Sequence, residues 1–370
     1  MAVGDGCSWQ VGSRRANHRR TEGSDDGDIV PTMSSTGRRA NMREVAALAG
    51  VSHQTVSRVL NDHASIRPET RARVLRAIEQ VDYRPNSAAR ALATNKTQRI
   101  GVLVDSAVEY GPNSTLRAIE LAARSEGYSV TSVTVGEGRE LGPDVALEHL
   151  LSQGVDALCA IAPRSSSLDA LRVHSPHIPT LVVKSAEDDE FLTASVDQRL
   201  GASMAVRHLI ALGHRRIAHV SGPFDWLDAQ ARHAAWESEI ADAGLEPLEV
   251  VVGDWTADFA YDIAADPRRM PECTAVFAAN DQMALGLVHG LTERGVSVPD
   301  EVSIVGFDDL PESKHFLPPL TTVRQNFVAL GERSIAVLLA ALEGRQPERR
   351  SVIRPQLIVR ASTAPLVPAR

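Results

Sequence analysis

Residues 42–61 read MREVAALAGVSHQTVSRVLN, and this stretch decides how the N-terminal part of the chain folds. Asn41 stands three residues before Glu44, a spacing typical of a capping box at the start of a helix. Gly50 permits a tight turn, and Ser52 is a suitable N-cap for a second helix. The stretch therefore predicts two short helices joined by a turn, which is the helix-turn-helix arrangement.

The apolar residues of this region are spaced for one small core shared by three helices. A third helix is expected to begin at Pro68, because proline suits the first position of a helix. The predicted inward positions are Val45, Ala46, Leu48 and Ala49 on the first helix, Val56, Val59 and Leu60 on the second, and Val74, Leu75, Ile78 and Val81 on the third. The pattern indicates a compact helical module that ends near residue 85.

The outward face of the second helix carries His53, Gln54, Thr55, Ser57 and Arg58. Glutamine can pair with adenine and arginine with guanine in the major groove, while serine and threonine reach phosphates. An ordinary helical hairpin is the alternative, but a merely solvated face would more often carry glutamate and lysine. The side chains of this helix therefore favour DNA recognition.

Charge is spread unevenly along the chain, whose formal net charge is -8. Residues 38–99 hold 12 Lys+Arg and 5 Asp+Glu, a local balance of +7. Residues 100–370 hold 23 Lys+Arg and 37 Asp+Glu, a balance of -14. A basic module attached to an acidic body is typical of a nucleic-acid binder whose other part has a separate task.

Residues 86–98, between the helical module and the body, admit two interpretations. Pro85 ends the third helix, and Asn86 can cap a very short helix, SAARALA. A helix of that length is not stable alone in water, but it could fold when docked. Leu92 would then be suited to wedge between base steps from the minor groove. A plain linker explains these residues equally well.

From Arg99 onward, short apolar strands alternate with helical patterns such as NSTLRAIELAARSEG. The candidate strands are RIGVLVD, YSVTSVTV, VDALCAIA, IPTLVVK, RIAHVSG, TAVFAAN and VSIVGFDD. Such alternation argues for parallel sheets covered by helices on both faces. The body is too long for one sheet, so we predict two similar α/β lobes with a cleft between them.

Polar residues directly follow several of these strands, at the position where ligands bind in parallel α/β sheets. Any one of them could instead be a helix N-cap or a loop residue, but their recurrence favours a ligand site. Carboxylates and amides bind vicinal hydroxyls, an arginine supplies paired donors, and aromatic rings cover the apolar face of a sugar. The candidates are Asp105, Lys184, Asn280 and Asp308 at strand ends, together with Arg232, Trp255 and Phe327.

The segments VAALAGVSHQTVSRVLN, TRARVLRAIEQVDYRPN, and ARALA followed by RIGVLV resemble the lactose-repressor (LacI/GalR) family of bacterial transcription regulators. The resemblance runs from about Asn41 to about Thr363. It implies that His53, Gln54 and Arg58 read base edges. Phosphate contacts or positioning of the helix are implied for Asn41, Ser52, Thr55, Ser57, Asn61 and Thr70, and a minor-groove hinge helix for residues that include Asn86, Ala89 and Leu92.

For the body, the resemblance implies a type I periplasmic-binding-protein-like core of two α/β subdomains. The positions that hold or line the inducer site in sugar-responsive members are those of Arg232, Trp255, Asn280, Asp308 and Phe327. Lys184 stands where the lactose-responsive member of the family has an acidic sugar ligand. Asp105 and Glu109 stand at positions that are less charged there. We therefore expect a sugar or glycoside effector, but the departures argue against a galactoside.

The chain is thus expected to contain a disordered extension (1–40), a helix-turn-helix headpiece (41–85), a hinge helix and linker (86–98) and an effector-binding and dimerisation core (99–370). We expect a homodimer that reads near-palindromic double-stranded operator DNA and is released by its effector. A corepressor-type regulator with a non-sugar effector is the alternative.

Other classes of function fit the sequence poorly. It has no GxSxG, P-loop, HExxH or GxGxxG motif, and the adjacent Asp308 and Asp309 cannot flank a bond as glycosidase carboxylates do, so no enzymatic activity, cofactor or metal is expected. Cys7, Cys159 and Cys273 lie far apart, which suits a reducing compartment. No run approaches the roughly 18 apolar residues of a membrane span. The N-terminus also lacks the apolar segment of a secretion signal, which argues for a cytoplasmic protein and against a sugar-binding transport protein.

Overall fold

The computed structural model describes residues 40–60, 63, 65–83, 91, 96–106, 109–136, 142–162, 164–175, 177–185 and 188–366. The chain divides into two compact units, residues 1–85 and 86–370. Several predictions concern residues outside the described ranges. These are the N-terminal extension up to residue 39 and the expected DNA contacts of Asn61, Asn86, Ala89 and Leu92.

The first unit contains the three predicted helices, α1 (Met42–Ala49), α2 (His53–Leu60) and α3 (Pro68–Gln80). The capping box of α1 is confirmed. Asn41 Oδ1 accepts the backbone N–H groups of Arg43 (2.9 Å) and Glu44 (3.1 Å), and the Glu44 carboxylate accepts the N–H of Asn41 at 3.2 Å. Gly50 ends α1 with a φ of 61°, a left-handed conformation that glycine adopts without strain.

The core of this unit follows the predicted pattern with two exceptions. The fully buried residues at its centre are Val45, Val56 and Val74. Leu48 and Leu75 were predicted to be buried, but each is 47% exposed, so this part of the prediction is wrong. A helix turns by about 100° per residue, so Leu75 lies beside the buried stripe that contains Val74. On α1 the buried residues are Val45, Ala46 and Ala49, and Leu48 lies beside the face that they form.

Within the described residues, the second unit contains two six-stranded sheets. Sheet 1 consists of β1 (Arg99–Asp105), β2 (Ser129–Val135), β3 (Ala157–Ile161), β4 (Thr180–Val183), β5 (Leu192–Val196) and β11 (Arg350–Ile353), in the order β11-β5-β4-β3-β1-β2. Its strand pairs are all parallel. Lobe 1 is completed by the helices α4 (Tyr110–Ser125), α5 (Pro143–Ser152), α6 (Ser165–His174) and α11 (Phe327–Leu342).

Sheet 2 consists of β6 (Ile217–Ser221), β7 (Val251–Val252), β8 (Ala275–Ala278), β9 (Ser303–Asp308), β10 (Thr321–Arg324) and β12 (Gln356–Ile358), in the order β12-β10-β9-β8-β6-β7. Its strands are parallel except for β12, which pairs antiparallel with β10. Lobe 2 is completed by the helices α7 (Gln198–Ala211), α8 (Leu227–Asp242), α9 (Ala257–Ala265) and α10 (Asp281–Glu293).

The chain passes between the lobes at three short crossovers within residues 188–366: from β5 to α7, from β10 to α11 and from β11 to β12. Apolar clusters cover both faces of each sheet. The predicted architecture of two α/β lobes is therefore confirmed. Lobes joined only by such short segments can rotate about them as nearly rigid bodies.

All seven predicted strands are present, but the prediction missed β5, β7, β10, β11 and β12. The strands β7, β11 and β12 are short and lie at sheet edges, where one side needs no partner and the apolar signal is weak. The strand β10 reads TTVR, and its Thr321 and Thr322 are fully buried only because tertiary neighbours bond their hydroxyls. In the described ranges, no helix is long and apolar enough to cross a membrane.

Candidate functional site

The polar face of α2 is exposed as predicted. His53, Gln54 and Arg58 are exposed, while Val56 and Val59 on the opposite face are buried against the other helices. Within the described residues, no hydrogen bond or ion pair engages the side chains of the three exposed residues. Their donors and acceptors are therefore available to contact base edges.

Capping interactions hold the residues that flank this face. Ser52 Oγ accepts the backbone N–H of Thr55 at 3.1 Å, and the two hydroxyl oxygens lie 2.9 Å apart. The side chain of Asn41 is occupied by the capping box of α1. Ser57 and Thr70 are partly buried. Ser52 and Asn41 thus serve as caps, and the DNA-contacting role of all five residues stays a prediction.

A cavity that is partly open to solvent lies between the two lobes of the second unit, and the non-atom space in it, open solvent included, is about 620 Å³. It is lined at the carboxyl ends of strands from both sheets, where a ligand was expected. Six of the seven predicted effector residues line it, namely Lys184, Arg232, Trp255, Asn280, Asp308 and Phe327.

Hydrogen bonds join part of the polar lining into a closed ring. Arg232 Nε donates to Gln198 Oε1 at 2.9 Å. Gln198 Nε2 donates to Gln325 Oε1 at 2.8 Å, and Gln325 Nε2 donates to Asp308 Oδ1 at 2.6 Å. An ion pair of 3.8 Å between Arg232 and Asp308 closes the ring. Because Gln198 and Gln325 lie at the first and second crossovers, the ring connects the cavity to the segments that join the lobes.

Arg232 and Asp308 are both almost completely removed from water. Burial raises the pKa of Asp308 to about 6, although the charge of Arg232 and the hydrogen bond from Gln325 act in the opposite direction. The Arg232 guanidinium also donates to the carbonyl of Ala279 and lies 3.9 Å from the centroid of the Phe307 ring. Asp308 has a φ of 107°, a strained conformation for a residue with a side chain, which these contacts maintain.

Asn280 connects a helix terminus to the aromatic lining of the cavity. Its Oδ1 accepts the N–H of Met283 at 2.8 Å, which caps α10, and its Nδ2 donates to the carbonyl of Trp255 at 2.9 Å. Trp255 is 7% exposed, and its indole nitrogen has no hydrogen-bond partner within the described residues. The capping role and the cavity position of Asn280 are therefore compatible, and the cap holds Trp255 in place.

Lys184 lines the cavity but is already paired inside lobe 1. Its Nζ lies 2.5 Å from Asp188 Oδ2, and both side chains are nearly fully buried. Burial acts to raise the pKa of Asp188, but the hydrogen bonds from Lys184 and from two backbone N–H groups outweigh it, and this pKa is lowered. The charge of Lys184 is thus compensated before any ligand binds.

Asp105 is the predicted effector residue that does not line the cavity. Its Oδ2 accepts the backbone N–H of Arg164 at 2.6 Å, and its Oδ1 accepts the hydroxyl of Ser167 at 2.8 Å. Both carboxylate oxygens are therefore committed at the N-terminus of α6. The geometry does not support a direct effector contact, because the carboxylate instead holds the backbone of Arg164 and the side chain of Ser167.

The cavity also contains residues that reasoning from strand ends missed. Tyr110 and Trp226 add aromatic rings, and Tyr110 lies edge-on to Phe327 with ring centroids 5.8 Å apart. Asp228 on α8 adds a carboxylate whose pKa is raised by burial. Together with the two glutamines of the ring, these residues lie on helices or crossovers, where a strand-end pattern carries no signal.

Asp281 shows that a carboxylate next to a strand end can be purely structural. Its Oδ1 accepts the hydroxyl of Thr322 at 2.5 Å, and its Oδ2 accepts the hydroxyl of Ser313 at 2.5 Å and the N–H of Leu310 at 2.9 Å. Burial raises the pKa of Asp281 to about 7 against the effect of these hydrogen bonds. In the part of the chain that the structure describes, no group of three His, Cys, Asp or Glu residues could hold a metal ion.

The comparisons with known proteins define the class of this protein, which is a DNA-binding transcriptional repressor. The helix-turn-helix unit matches the description "Bacterial regulatory proteins, lacI family" over residues 41–86. The core matches "Periplasmic binding protein-like domain" over residues 206–363. The chain belongs to the lacI family of bacterial regulatory proteins, so the family resemblance read from the sequence is confirmed.

Similar proteins cover nearly the whole chain. The lactose operon repressor of Escherichia coli (strain K12) is 32% identical over 325 residues, which is 86% of this chain and 89% of that repressor. The HTH-type transcriptional repressor PurR of Haemophilus influenzae (strain ATCC 51907 / DSM 11121 / KW20 / Rd) is 34% identical over 340 residues, 87% and 98% of the two chains. The crystal structure of the lac repressor dimer bound to operator and the anti-inducer ONPF has a TM-score of 0.78 and 31% identity, with 88% of this chain and 100% of that chain covered.

Proposed function

We propose that this protein binds a near-palindromic operator as a homodimer and that a sugar or glycoside bound in the cleft releases it from DNA. One observation carries the ligand part of the proposal. The ring of Arg232, Gln198, Gln325 and Asp308 connects the cavity to the crossovers, so that a ligand held by the ring acts on the segments about which the lobes move.

On the DNA side, His53, Gln54 and Arg58 read base edges, because they project from the exposed face of α2 and have no side-chain partner among the described residues. The residues that contact phosphates, orient α2 or belong to the hinge are Asn41, Ser52, Thr55, Ser57, Asn61, Thr70, Asn86, Ala89 and Leu92. One headpiece has too small an interface for tight specific binding, so two headpieces act together on a near-palindromic site.

The chemistry of the cavity supports a polyhydroxylated ligand. Asp308 accepts hydroxyl donors, while Arg232 and the unpartnered indole nitrogen of Trp255 donate to hydroxyl oxygens. The rings of Trp255 and Phe327 cover the apolar face of a sugar. Asn280 holds Trp255 in place, and the paired Lys184 presents no net charge to the ligand. A neutral sugar or glycoside meets these groups without leaving a buried charge unpaired.

Release follows from closure of the cleft. A ligand that contacts both lobes favours their closed arrangement, which changes the spacing of the two hinge segments (86–98) in the dimer and disfavours their helices. The coupling is reciprocal, so operator DNA weakens effector binding by the same factor by which the effector weakens operator binding.

The domain assignment belongs to the same proposal. The headpiece (41–85) binds DNA, and the core (99–370) binds the effector and forms the dimer, while residues 1–40 are an extension outside both. The similar crystal structure of the lac repressor dimer bound to operator supports a dimer here. The protein acts in the cytoplasm, where its operator lies, and carries out no enzymatic reaction.

A second candidate is a corepressor-type regulator whose effector is a planar heterocycle. Four aromatic side chains line the cavity, namely Tyr110, Trp226, Trp255 and Phe327. This is more ring surface than one face of a sugar requires, and it suits stacking of a flat ligand. In this case the bound ligand strengthens operator binding.

The two candidates are separated by a thermal-shift screen of the purified protein against mono- and disaccharides and against nucleobases, with each hit repeated in an operator-release assay. A sugar that raises the melting temperature and releases DNA supports the inducible repressor. A heterocycle that raises it and tightens DNA binding supports the second candidate. If no sugar raises the melting temperature, the sugar proposal fails.

Asp308→Ala serves as the site control in this screen. Loss of the thermal shift and of the effector response with operator affinity retained places the ligand at this carboxylate. Loss of operator binding as well would make the role of Asp308 structural.

A further inference from the structure

We propose that Asp105, Arg164 and Asp225 form a latch between the two lobes, which biases the cleft towards closure before any ligand binds. None of the three lines the cavity described above. This inference rests on the proposed function in one respect, which is that an effector acts by closing the cleft. The contacts of the latch itself are made by the protein's own groups.

The ion pair of the latch crosses from lobe 1 to lobe 2. Arg164 lies between β3 and α6, and its Nε is 3.3 Å from Oδ2 of Asp225, which lies between β6 and α8. The Arg164 guanidinium carbon is also 5.8 Å from the centroid of the Trp226 ring. Trp226 lines the cavity and packs edge-on against Trp255, with centroids 5.7 Å apart. Arg164 of the latch therefore contacts Trp226, a residue that lines the cavity.

Asp105 positions this ion pair from the interior of lobe 1. Its carboxylate is buried, and its two oxygens bind the backbone N–H of Arg164 and the hydroxyl of Ser167. Ala162, two residues before Arg164, has a φ of 48°. The backbone position of Arg164 is thus fixed by the left-handed conformation of Ala162 and by the hydrogen bond to the buried Asp105 carboxylate. Asp105 is therefore a positioning residue that acts through Arg164.

The lobes also meet beside the latch. A small cavity, with room for about one water molecule, is lined by Ala162 and Lys184 from lobe 1 and by Trp226, Leu227 and Asp228 from lobe 2. Burial raises the pKa of Asp228, while the charge of Arg232 and hydrogen bonds from Ser185 of lobe 1 act against that shift. The latch is therefore part of a continuous contact between the lobes and differs from an isolated surface pair.

The expected strength of the latch is modest. The side chains of Arg164 and Asp225 are 28% and 53% exposed, so water screens their attraction. Breaking such a pair should change the ratio of closed to open lobes by about two- to fivefold. A bias of this size suits a switch, because a ligand with moderate preference for the closed state can still control it.

The test is hydrogen exchange of the ligand-free, full-length protein, followed by mass spectrometry. It compares the wild type with Arg164→Ala, Asp225→Ala, the double variant, and the charge swap Arg164→Asp with Asp225→Arg. The informative peptides contain residues 109–112, which line the cavity, and residues 253–256, whose Trp255 lines it beside Trp226. We expect each single substitution to raise their exchange by about two- to fivefold. The double variant should match the single ones, and the charge swap should return towards the wild type.

Arg172→Ala is the matched control, because Arg172 forms its ion pairs with Asp169, Asp188 and Glu190, all within lobe 1. The latch would be overturned if the single variants exchanged no faster than this control. It would also be overturned if the effects of the two single substitutions added in the double variant, or if the charge swap exchanged as fast as the single variants.

Asp105→Asn tests the positioning role. It should raise exchange in the same peptides, and it should add nothing in the Arg164→Ala background. A further increase in that background would show that Asp105 acts independently of the latch. If Asp105→Asn does not fold, Ser167→Ala removes one of the two hydrogen bonds of the carboxylate and carries the same test. None of these measurements needs a ligand, so they test the latch independently of whether a sugar binds in the cleft.

Discussion

The exposed face of α2 and the cleft between the lobes are both polar, but their polar groups are held in opposite ways. Gln54 and Arg58 have no partner among the described residues, whereas Arg232 is bound to Gln198, Asp308 and a backbone carbonyl. A helix that contacts DNA finds hydrogen-bond partners on the duplex, so its side-chain donors bind best when no protein group already occupies them. Unpaired buried charges destabilise the fold, so the charged groups of the cavity are paired with neighbouring side chains. The same residue type, arginine, is therefore without a described partner on α2, where contact with DNA is proposed, and is held by several partners in the cleft.

The largest effect that tests this difference is expected for Arg232→Ala. The substitution leaves Asp308 buried without its cation and opens the hydrogen-bonded ring. We expect the free energy of unfolding of the core to fall by about 3–5 kcal/mol, measured by urea denaturation followed by circular dichroism. Ser238→Ala, at an exposed position of the same helix, is the control. A loss of less than about 1 kcal/mol would mean that the ring contributes no more than a surface pair.

The next effect concerns pH and the buried Asp281. Burial raises the pKa of this carboxyl from its ordinary 3.8 to about 7, so the folded protein binds the proton more tightly than the unfolded chain does. The stability from this group is therefore greatest below about pH 4 and is lost as the pH rises to about 7. Between these limits, the unfolding free energy of the wild type should fall relative to that of Asp281→Asn by up to about 1.4 kcal/mol per pH unit. Parallel pH profiles of the two proteins would contradict the shift.

Arg58→Ala probes the other side of the comparison. Because Arg58 is exposed, we expect the free energy of unfolding to change by less than about 0.5 kcal/mol. Operator binding should weaken by about 1–3 kcal/mol at one base pair, with a smaller change on nonspecific DNA. Fluorescence anisotropy with operator variants and random duplex measures both. An equal loss on random DNA would reassign Arg58 to a phosphate contact.

The smallest effect is expected for Leu48→Ala on α1. Its side chain is half exposed, so truncation should change the free energy of unfolding by less than about 0.5 kcal/mol. Val45→Ala on the same helix removes a fully buried side chain and should cost about 2 kcal/mol. Equal costs for the two variants would mean that Leu48 is buried after all, for example by a second copy of the chain.

The headpiece was predictable from the sequence because its determinants are local. The capping box of Asn41 and Glu44, the left-handed turn at Gly50 and the first helical position of Pro68 each depend on neighbours within a few residues. The errors at Leu48 and Leu75 arose where a helix presents more apolar residues than its partners cover. Local spacing limits which residues can share a face, but the packing of the other helices decides where that face ends.

The sequence by itself determined the family, through the resemblance carried by its motifs, and the two-lobed α/β core, through the periodicity of short segments. It also predicted six residues of the cavity lining, some from their position at strand ends and others from the same resemblance. Only the tertiary structure decided which strand-end carboxylates face the cavity. Asp105 and Asp281 turn away because donors from distant segments, such as the N–H of Arg164 and the hydroxyl of Thr322, reach them first. Gln198 and Gln325 are separated by 127 positions and meet only where two crossovers run side by side. A hydrogen bond between such residues depends on how the lobes pack, and no local pattern encodes that.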